Sequence, residues 1–235
     1  MLVEKCFVRL IEDDIYSVLP DTSVVHHYDK RAAVYDLVVS TWLYNFIMWG
    51  TSPYDYVEFA NQAVSSSHNG MFLDAGCGSL LFTARIYASS SCPIIAVDQS
   101  LAMLRRARRR LIDLSGSVPE RVRLLQADLS DLPFRRESFR TVLCLNVLHQ
   151  FADAAKLISN LNVLLTGGGH FYLTSLVSNS RTVGNLYLGA LYRTGEFICP
   201  RNERELKKLL DMTFNEKINY REKGNMAFIT TTVSD

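Results

Sequence analysis

Two carboxylates and two glycines are the residues best spaced to bind a charged ligand. In the stretch "FLDAGCGSLLFTA" (72–84), an apolar run ends in Asp74, and Gly76 and Gly78 follow in G-x-G spacing. Glycines at this point let the backbone turn tightly and approach a ligand that a Cβ would keep away. A dinucleotide fingerprint needs a third glycine, and the apolar residues after Gly78 do not supply one. By itself the glycine pair is only weak evidence for a ligand-binding loop.

Asp74 and Asp98 narrow the class of ligand. A carboxylate two residues before the first glycine repels a pyrophosphate but attracts an ammonium group through a charge-assisted hydrogen bond. Twenty residues after Gly78, the apolar run "PIIAVD" ends in Asp98, from where a carboxylate can accept hydrogen bonds from both hydroxyls of a ribose. A nucleoside that carries an amino acid satisfies both acids, so the predicted ligand is zwitterionic.

Alternating strands and helices must bring these residues to one edge of a sheet. From Met71 onward, short runs rich in β-branched residues alternate with longer amphipathic segments, which is typical of βαβ units around a parallel sheet. Right-handed crossovers then place helices on both faces of the sheet. Strands are predicted at 71–75, 93–98, 122–127, 140–146 and 169–177, and helices at 80–88, 100–114 and 153–165.

The two ends of the chain have different patterns. Residues 202–214 form an amphipathic helical pattern, and two strand-like runs joined by a Lys-Gly-Asn turn follow it. These runs predict a β-hairpin that closes one edge of the sheet. The first 70 residues are mostly helical in pattern, over 28–49 and 54–64.

Composition and charge exclude several classes of partner. The 235 residues are 48% hydrophobic and 21% charged, which is enough apolar material for one full core and argues against disorder. Lys and Arg number 25 and Asp and Glu 24, so the formal charge of +1 gives no general field that recruits nucleic acid or an anionic membrane. The sequence therefore favours a small-molecule partner.

Cysteine spacing and the N-terminal pattern bear on the cellular location. The five cysteines are scattered, without a C-x-x-C pair or a Cys/His cluster at metal-ligand spacing, so we expect reduced thiols and no metal site. Charged residues in the first 14 positions interrupt any signal-peptide core, and no apolar run is long enough to span a bilayer. The sequence predicts a cytoplasmic protein.

Four motifs, in order, resemble those of the class I S-adenosylmethionine (SAM)-dependent methyltransferases. "LDAGCGS" is similar to their D/E-x-G-x-G-x-G motif, with Leu80 in place of the last glycine. "VDQSLAMLRRA" resembles their second motif, and "QADLSDLPF" resembles the segment whose Asp contacts the adenine amino group. "LCLNVLHQF" followed by "LLTGGGHFYLTSL" resembles the fourth-strand motif and the approach to the fifth strand, with Thr166 where proline is usual. The resemblance covers most of the chain.

This resemblance implies a fold. It is an α/β, Rossmann-like, doubly wound and mostly parallel sheet of seven strands, with a C-terminal antiparallel hairpin and a helical N-terminal lid. The segment "YDKRAAVYDLVV" (28–39) is similar to the substrate lid of the branch that includes the ubiquinone and menaquinone C-methyltransferases. We expect one methyltransferase domain over 1–235, with the lid segment in 1–70 and an acceptor-site insertion near 178–200.

The resemblance also implies a cofactor, SAM, with S-adenosylhomocysteine as its product, and residues that hold it. The glycine loop and Tyr28 would hold the methionine end, Asp98 the ribose, and Asp128 with the Leu129 amide the edge of the adenine. Gln99 and Met103 would flank the adenine ring. The complete set of implied cofactor-binding residues is Tyr28, Asp74, Ala75, Gly76, Cys77, Gly78, Asp98, Gln99, Met103, Asp128, Leu129 and Asn146.

His149 is the candidate catalytic residue. It follows the predicted fourth strand, so it is the histidine best placed to take a proton from a hydroxyl or carbon acceptor. The methyl transfer itself needs no nucleophilic residue. A different role, in which His149 helps to cap the next helix or closes the pocket without proton transfer, is favoured because many relatives need no base.

Aromatic residues provide candidates for the acceptor pocket. Tyr35, Trp42, Tyr187 and Tyr192 could line an apolar or aromatic acceptor site, and core packing explains each of them at least as well. The predicted reaction is in-line methyl transfer from SAM to a small organic acceptor. The sequence leaves the choice between a monomer and a homodimer open.

Three further functions compete with this one. The run "RRARRR" (105–110) suggests an RNA substrate, but on a helix these arginines spread around most of the circumference, so a solvated face is favoured. A SAM-binding subunit without catalysis fits the missing third glycine and the Thr166 change. A nicotinamide-dependent oxidoreductase is disfavoured by Asp74 and by the absent last glycine.

Overall fold

A sheet of ten strands forms the centre of the structure. The computed structural model describes residues 2, 7–20, 41–68, 70–179, 181–195, 197–198 and 201–234. In chain order the strands are β1 (Arg9–Glu12), β2 (Ile15–Ser17), β3 (Phe72–Ala75), β4 (Ile94–Asp98), β5 (Val122–Gln126), β6 (Phe139–Leu145), β7 (Leu165–Ser178), β8 (Arg201–Asn202), β9 (Ile218–Lys223) and β10 (Met226–Thr232).

The strand order confirms the predicted fold class. Across the sheet it is β1-β2-β5-β4-β3-β6-β7-β10-β9, and the short β8 pairs with the end of β7. All pairs from β2 to β7 are parallel, whereas β10 and β9 add an antiparallel hairpin at one edge. Because β3 pairs with β4 on one side and β6 on the other, the chain changes winding direction there, and a crevice is expected at the carboxyl ends of these strands.

Helices cover both faces of the sheet. They are α1 (Trp42–Tyr44), which continues as a π-helical segment (Asn45–Trp49), α2 (Pro53–Ser66), α3 (Ala84–Ser89), α4 (Leu101–Ser115), α5 (Ala154–Asn162), α6 (Thr182–Arg193) and α7 (Glu203–Thr213), with a 3₁₀ turn at Leu148–Gln150. None of the helices in the described ranges is both long and apolar enough to cross a bilayer.

Alternation along the strands explains the two layers. In β3, Phe72 packs into the core shared with α2, α3 and α4, whereas Leu73 and Ala75 pack into the opposite core with α5 and α7. Strands buried on both faces read as continuous apolar runs, which is the pattern that predicted them. Asp74 therefore points to the α3 side of the sheet, where its polarity needs a partner.

Side-chain caps fix where several helices begin. The Ser100 hydroxyl accepts a hydrogen bond from the Met103 amide at the start of α4, and Asp153 caps α5 in the same way. Helix α2 begins at Pro53 behind a capping box made by Ser52 and Asp55. Such caps satisfy N–H groups that have no partner within the helix.

Three parts of the structure differ from the sequence-based expectations. The predicted helix 153–165 ends at Asn162, and β7 begins at Leu165 and not at position 169. Helix α3 starts at Ala84 and not at position 80, because residues 76–83 form the turn that carries the glycines. Residues 9–17 form a β-hairpin, β1 and β2, in a region whose pattern predicts mainly helices. The sheet thus contains the seven predicted strands and three more, β1, β2 and β8.

Three arginines of the basic run 105–110 bind the N-terminal hairpin or the glycine loop. The Arg105 guanidinium pairs with the Glu12 carboxylate, with its Nε 2.9 Å from Oε1, and holds the pKa of Glu12 below its usual value. Arg108 contacts Asp14 at 3.2 Å, and Arg110 donates to the Ser79 carbonyl at 2.7 Å. These arginines therefore attach α4 to the hairpin and to the glycine loop.

Candidate active site

The glycine loop opens toward a cavity at the carboxyl end of β3. Gly76 and Gly78 have φ of 80° and 53°, in the left-handed region that L side chains rarely adopt. A Cβ on Gly76 would lie 2.5 Å from Cγ2 of Val147, so Gly76 is needed for close packing. A Cβ on Gly78 would meet nothing within 4 Å. Gly78 therefore leaves room for a bound molecule and not for a neighbouring side chain.

Leu80 adopts a left-handed backbone conformation that usually favours glycine. Its φ is 56°, and its side chain is fully buried in the α2–α4 core. A left-handed conformation costs a residue other than Gly or Asn roughly 1–2 kcal/mol, which the burial of a leucine offsets. Three residues of the loop, Gly76, Gly78 and Leu80, thus have positive φ.

A cavity of about 570 Å³ lies beside this loop. This volume is in the range of small-molecule and cofactor sites. Its wall comes from the carboxyl ends of four neighbouring parallel strands and the turns that follow them. The lining residues are Gly76, Gly78, Asp98, Gln99, Ser100, Met103, Asp128, Leu129, Ser130, Leu145, Asn146, Val147, His149, Gln150 and Phe151.

Asp98 connects the end of β4 to the glycine loop. Its Oδ2 accepts a hydrogen bond from the Gly78 amide at 2.8 Å, and its Oδ1 accepts one from the Ser100 amide at 2.9 Å. Each carboxylate oxygen can accept a second hydrogen bond. The two backbone donors therefore orient the carboxylate at the cavity wall.

Asp74 is buried beneath the glycine loop. It is 2% exposed, and its Oδ2 accepts a hydrogen bond from the Tyr87 hydroxyl at 2.8 Å. Burial and, to a smaller extent, the nearby charge of Asp98 raise the pKa of Asp74 to about 7. Asp74 lines a smaller cavity of about 80 Å³, which shares Gly76, Gly78, Leu145 and Asn146 with the larger one. The carboxyl group thus lies at the inner end of the site.

The predicted adenine-side residues lie after β4 and β5. Gln99, Met103, Asp128 and Leu129 all line the larger cavity. Oδ1 of Asp128 accepts a hydrogen bond from the Ser130 amide at 2.8 Å, which fixes the turn after β5. The buried Gln126 side chain donates to the Gln99 carbonyl at 3.1 Å and so ties the turn after β4 to β5.

Asn146 terminates β6 in a left-handed conformation, with φ of 55°. Asparagine tolerates this conformation better than most residues. Its backbone amide and its Oδ1 both bind the Thr174 hydroxyl of β7, each at 2.9 Å. The buried Tyr56 of α2 also hydrogen-bonds to the Asn146 side chain, and burial raises the pKa of Tyr56 to about 12. These contacts fix Asn146 where the two cavities meet.

His149 lines the larger cavity, but its environment makes it a weak base. It is 7% exposed, its ring centroid lies 4.0 Å from that of Phe197, and its Nδ1 has no hydrogen-bond partner among the described residues. Burial and, to a smaller extent, the charge of Arg201 lower the pKa of His149 to about 3. A neutral imidazole at the cavity wall agrees with pocket closure without proton transfer.

The remaining predicted residues lie in different places. Ala75 is buried in the sheet and lines neither cavity, whereas Cys77 lines the smaller one. Trp42, Tyr187 and Tyr192 lie on α1 and α6, and none of the three lines either cavity. Tyr28 and Tyr35 lie outside the described residues.

Several residues near the cavities were missed by sequence reasoning. Tyr87 binds Asp74, Tyr56 binds Asn146, and Phe82 lines the smaller cavity and stacks on Tyr56 with centroids 4.7 Å apart. Tyr56 and Tyr87 look like ordinary core aromatics on their helices, and no spacing rule links them to the strand tips. Phe82 gives no signal in the sequence beyond its apolar character after the glycines.

A comparison with known families decides the assignment. A family profile described as a methyltransferase domain matches residues 73–173, which run from β3 into β7 and include the glycine loop, Asp98, Asp128 and Asn146. Residues 73–173 of the chain therefore form a methyltransferase domain. SAM is the cofactor of this methyltransferase domain.

Curated relatives of the methyltransferase domain carry methyltransferase names. An uncharacterised chloroplastic methyltransferase of Arabidopsis thaliana is 31% identical over an alignment of 179 residues, which covers 72% of this chain and 49% of that protein. A ubiquinone biosynthesis O-methyltransferase of Azotobacter vinelandii is 25% identical over 59% of this chain and 57% of its own length. The chain thus spans about half the length of these relatives.

Solved methyltransferases share the fold. The phosphoethanolamine N-methyltransferase 2 of Haemonchus contortus, in complex with phosphomonomethylethanolamine and S-adenosylhomocysteine, superposes with a TM-score of 0.68. It is 14% identical to this chain, and the match covers 88% of this chain and 58% of that one. At this identity the likeness shows the fold.

The residues of the site fit a SAM molecule. The open space at Gly78 provides room for the ligand, and the cavity is of a suitable size. Carboxylates at its inner end and along its wall suit an ammonium group and sugar hydroxyls. The apolar Met103 and Leu129 suit the faces of a purine ring. A pyrophosphate at the inner end would instead be repelled by the carboxyl group of Asp74.

Proposed function

We propose that the domain transfers the methyl group of SAM to a small organic acceptor by in-line displacement. The observation that carries this proposal is the cavity of about 570 Å³, in which Gly78, Asp98 and Asp128 meet beside the buried Asp74. Along the site, Asp74, Asp98 and Asp128 follow the same order as the ammonium, ribose and adenine groups of the cofactor. A small acceptor is supported by the near-neutral charge of the chain.

We further propose roles for the residues of the site. Asp74 attracts the ammonium group, Asp98 accepts hydrogen bonds from the ribose, and Asp128 with the Leu129 amide contacts the adenine edge. Gln99 and Met103 pack against the purine, and Asn146 lies beside the sulfur. The backbone of the glycine loop, including Cys77, approaches the methionine end. The assignments of Tyr28, Ala75, Tyr35, Trp42, Tyr187 and Tyr192 stay predictions.

The chemistry asked of the protein is mainly orientation. The cofactor, when bound, supplies an electrophilic methyl group on a positively charged sulfur. The chain has to hold the acceptor in line and exclude water, and such alignment contributes up to roughly 7–11 kcal/mol in favourable cases. With a pKa of about 3, His149 gives little general-base assistance at neutral pH. An acceptor with its own lone pair, such as an amine, a thiolate or an ionised hydroxyl, therefore suits the site best.

Turnover in a metabolite extract tests this function. The protein is incubated with SAM labelled in its methyl group and a fractionated extract, and labelled products are counted. We expect a labelled small molecule with the parent and none with Asp98→Ala. A protein that binds S-adenosylhomocysteine but labels no fraction would support a SAM-binding subunit without catalysis.

An RNA substrate and a nicotinamide cofactor receive less support. An RNA substrate would use the basic run on α4, but Arg105 and Arg108 pair with acidic residues of the N-terminal hairpin. A nicotinamide cofactor would place a pyrophosphate near Asp74. A cytoplasmic location, a homodimer, the lid role of residues 1–70 and the acceptor-site insertion near 178–200 stay predictions.

A further inference from the structure

Six large apolar side chains are exposed on two neighbouring elements that pack against each other. They lie on α1, on the π-helical segment that follows it, and on α6, and each is between 44% and 71% exposed. This exposed apolar face consists of Trp42, Leu43, Phe46, Ile47, Val183 and Leu186. Scattered apolar residues are normal on a surface, but a cluster on two adjacent elements indicates an interaction site.

The two elements already use their inner sides to pack together. The Tyr187 ring lies 5.2 Å from Trp49 and 6.0 Å from Tyr44, and the two tyrosine hydroxyls are 3.1 Å apart. On α6, Gly184 and Leu188 are buried, whereas Val183 and Leu186 point outward with i, i+3 spacing. The exposed face is therefore the outer side of elements whose inner sides are already packed.

A buried polar cluster holds both elements in place. The Asn225 amide donates to the Trp49 carbonyl at 2.7 Å, and the Asn225 side chain donates to Asn185 of α6 at 3.0 Å. The Arg181 guanidinium donates to the Ile47 carbonyl at 3.1 Å. The hydrogen bonds of Asn225 and Arg181 therefore hold the backbone that carries the exposed apolar face.

This region has fewer charged residues than the chain as a whole. From Thr41 to Tyr54 there is no charged residue, and between Ser178 and Glu196 the only ones are Arg181 and Arg193, which flank α6. Charged residues make up 21% of the whole chain. Aromatic and aliphatic side chains without carboxylates, with cationic groups at the margin, are the features of a helix face that lies in a membrane interface.

The exposed apolar face lies close to the cavity. The chain that leaves α6 places Phe197 against the ring of His149, and the Ile198 amide donates to the His149 carbonyl at 2.9 Å. Since His149 lines the cavity, the segment after α6 links the helix that carries part of this face to the cavity wall. A surface docked on this face would present its molecules next to the acceptor side of the site.

We propose that the exposed apolar face docks on the surface of a lipid bilayer, from which the domain takes an amphiphilic acceptor. The docking follows from the face alone, whereas the acceptor class rests on the proposed methyl transfer. Six apolar side chains supply insertion, and Arg181 and Arg193 supply attraction to anionic headgroups. Binding is therefore expected to phosphatidylcholine vesicles and to be tighter when phosphatidylglycerol is included.

Vesicle flotation tests the docking. The parent protein, a double variant with Phe46→Ser and Leu186→Ser, and a control variant with Met212→Ser are mixed with vesicles of phosphatidylcholine, with and without phosphatidylglycerol. Met212 is 72% exposed on α7, away from the proposed face. We expect the parent and the control to float, and the double variant to lose about tenfold or more in partitioning.

Three results would overturn the docking. In the first, the parent does not float. In the second, the double variant floats like the parent. In the third, the parent does not float but forms a dimer in light scattering, and the double variant does not form this dimer. Calorimetry with S-adenosylhomocysteine on all three proteins separates the two proposals. Equal affinity shows that the cofactor site is intact in each variant, whereas no binding by any of them contradicts the proposed function and leaves the flotation result valid.

Discussion

At the scale of single residues, the site depends on carboxyl groups held in different environments. Asp98 is oriented by two backbone amides at the cavity wall, whereas Asp74 is buried with Tyr87 as its hydrogen-bond partner. The buried group has a pKa of about 7, so it is only partly ionised at neutral pH in the free protein. Its charge therefore becomes available mainly when a cation binds beside it.

This shift predicts proton release on cofactor binding. An ammonium group beside Asp74 favours the ionised carboxyl, so S-adenosylhomocysteine should release about half a proton near pH 7 and bind more tightly as the pH rises from 6 to 8. Calorimetry in buffers of different ionisation enthalpy measures the protons released. The Asp74→Asn variant should release none. Equal proton release by parent and variant would assign the titration to another group.

His149 predicts a pH effect on stability and not on catalysis. Its pKa is lowered from 6.5 to about 3 on folding, so its stabilising contribution is complete above pH 6.5 and decreases as the pH falls toward 3. Between pH 6.5 and pH 5 the parent should lose about 1.5 kcal/mol more than His149→Gln in the free energy of unfolding. Urea denaturation at the two pH values measures this difference. Parallel losses in both proteins would show that His149 is not buried in its neutral form.

At the scale of elements, α6 is positioned by a contact that only glycine allows. A Cβ on Gly184 would lie 1.9 Å from Oδ1 of the buried Asn225, whereas a Cβ on Gly189 of the same helix would meet nothing within 4 Å. The two glycines therefore have opposite roles. Gly184 permits α6 to approach the hairpin of β9 and β10, and Gly189 only weakens the helix.

A matched pair of substitutions tests this difference. Gly189→Ala should raise the free energy of unfolding by about 0.5–1 kcal/mol, because alanine favours the helix. Gly184→Ala should lower it by about 1–3 kcal/mol, because the added methyl group displaces Asn225 and its hydrogen bonds. Thermal denaturation of both variants gives the sign of each change. Two stabilised variants would mean that α6 does not pack against Asn225.

Sequence patterns predicted the elements that form the centre of the sheet and failed for those at its margin. The strands that carry Asp74 and Asp98 were predicted nearly to the residue, because strands buried on both faces show as unbroken apolar runs. The hairpin β1–β2 was missed, since its strands of four and three residues are too short for a periodic signal. The acidic turn of this hairpin pairs with arginines of α4 that are distant in sequence, so its role could not be predicted from the local pattern.

The site itself could be predicted only in part. The glycines, Asp98 and Asp128 were found because they follow strands at characteristic spacing. Tyr87 and Tyr56 could not be found in this way, because their contacts depend on how α3 and α2 pack across the sheet. The weak basicity of His149 also follows from packing, since burial and Arg201 set its pKa.

At the scale of the whole molecule, strand order brings four strand ends from distant parts of the chain to one cavity. The family profile covers these strands, while the N-terminal hairpin, α6 and the exposed apolar face lie outside it. The fold therefore supplies the cofactor site, and the elements added around it are where selectivity for the acceptor is expected. The central claim concerns the cofactor site, which can be tested without knowledge of the acceptor.

The most direct test is a calorimetric titration of the full chain with S-adenosylhomocysteine and, separately, with NAD. We predict one site with a dissociation constant on the order of micromolar for S-adenosylhomocysteine, corresponding to about −8 kcal/mol, and no heat with NAD. Asp98→Ala, at a carboxylate on the cavity wall, should abolish the signal. Unchanged affinity in Asp98→Ala, or binding of NAD in place of S-adenosylhomocysteine, would contradict the account.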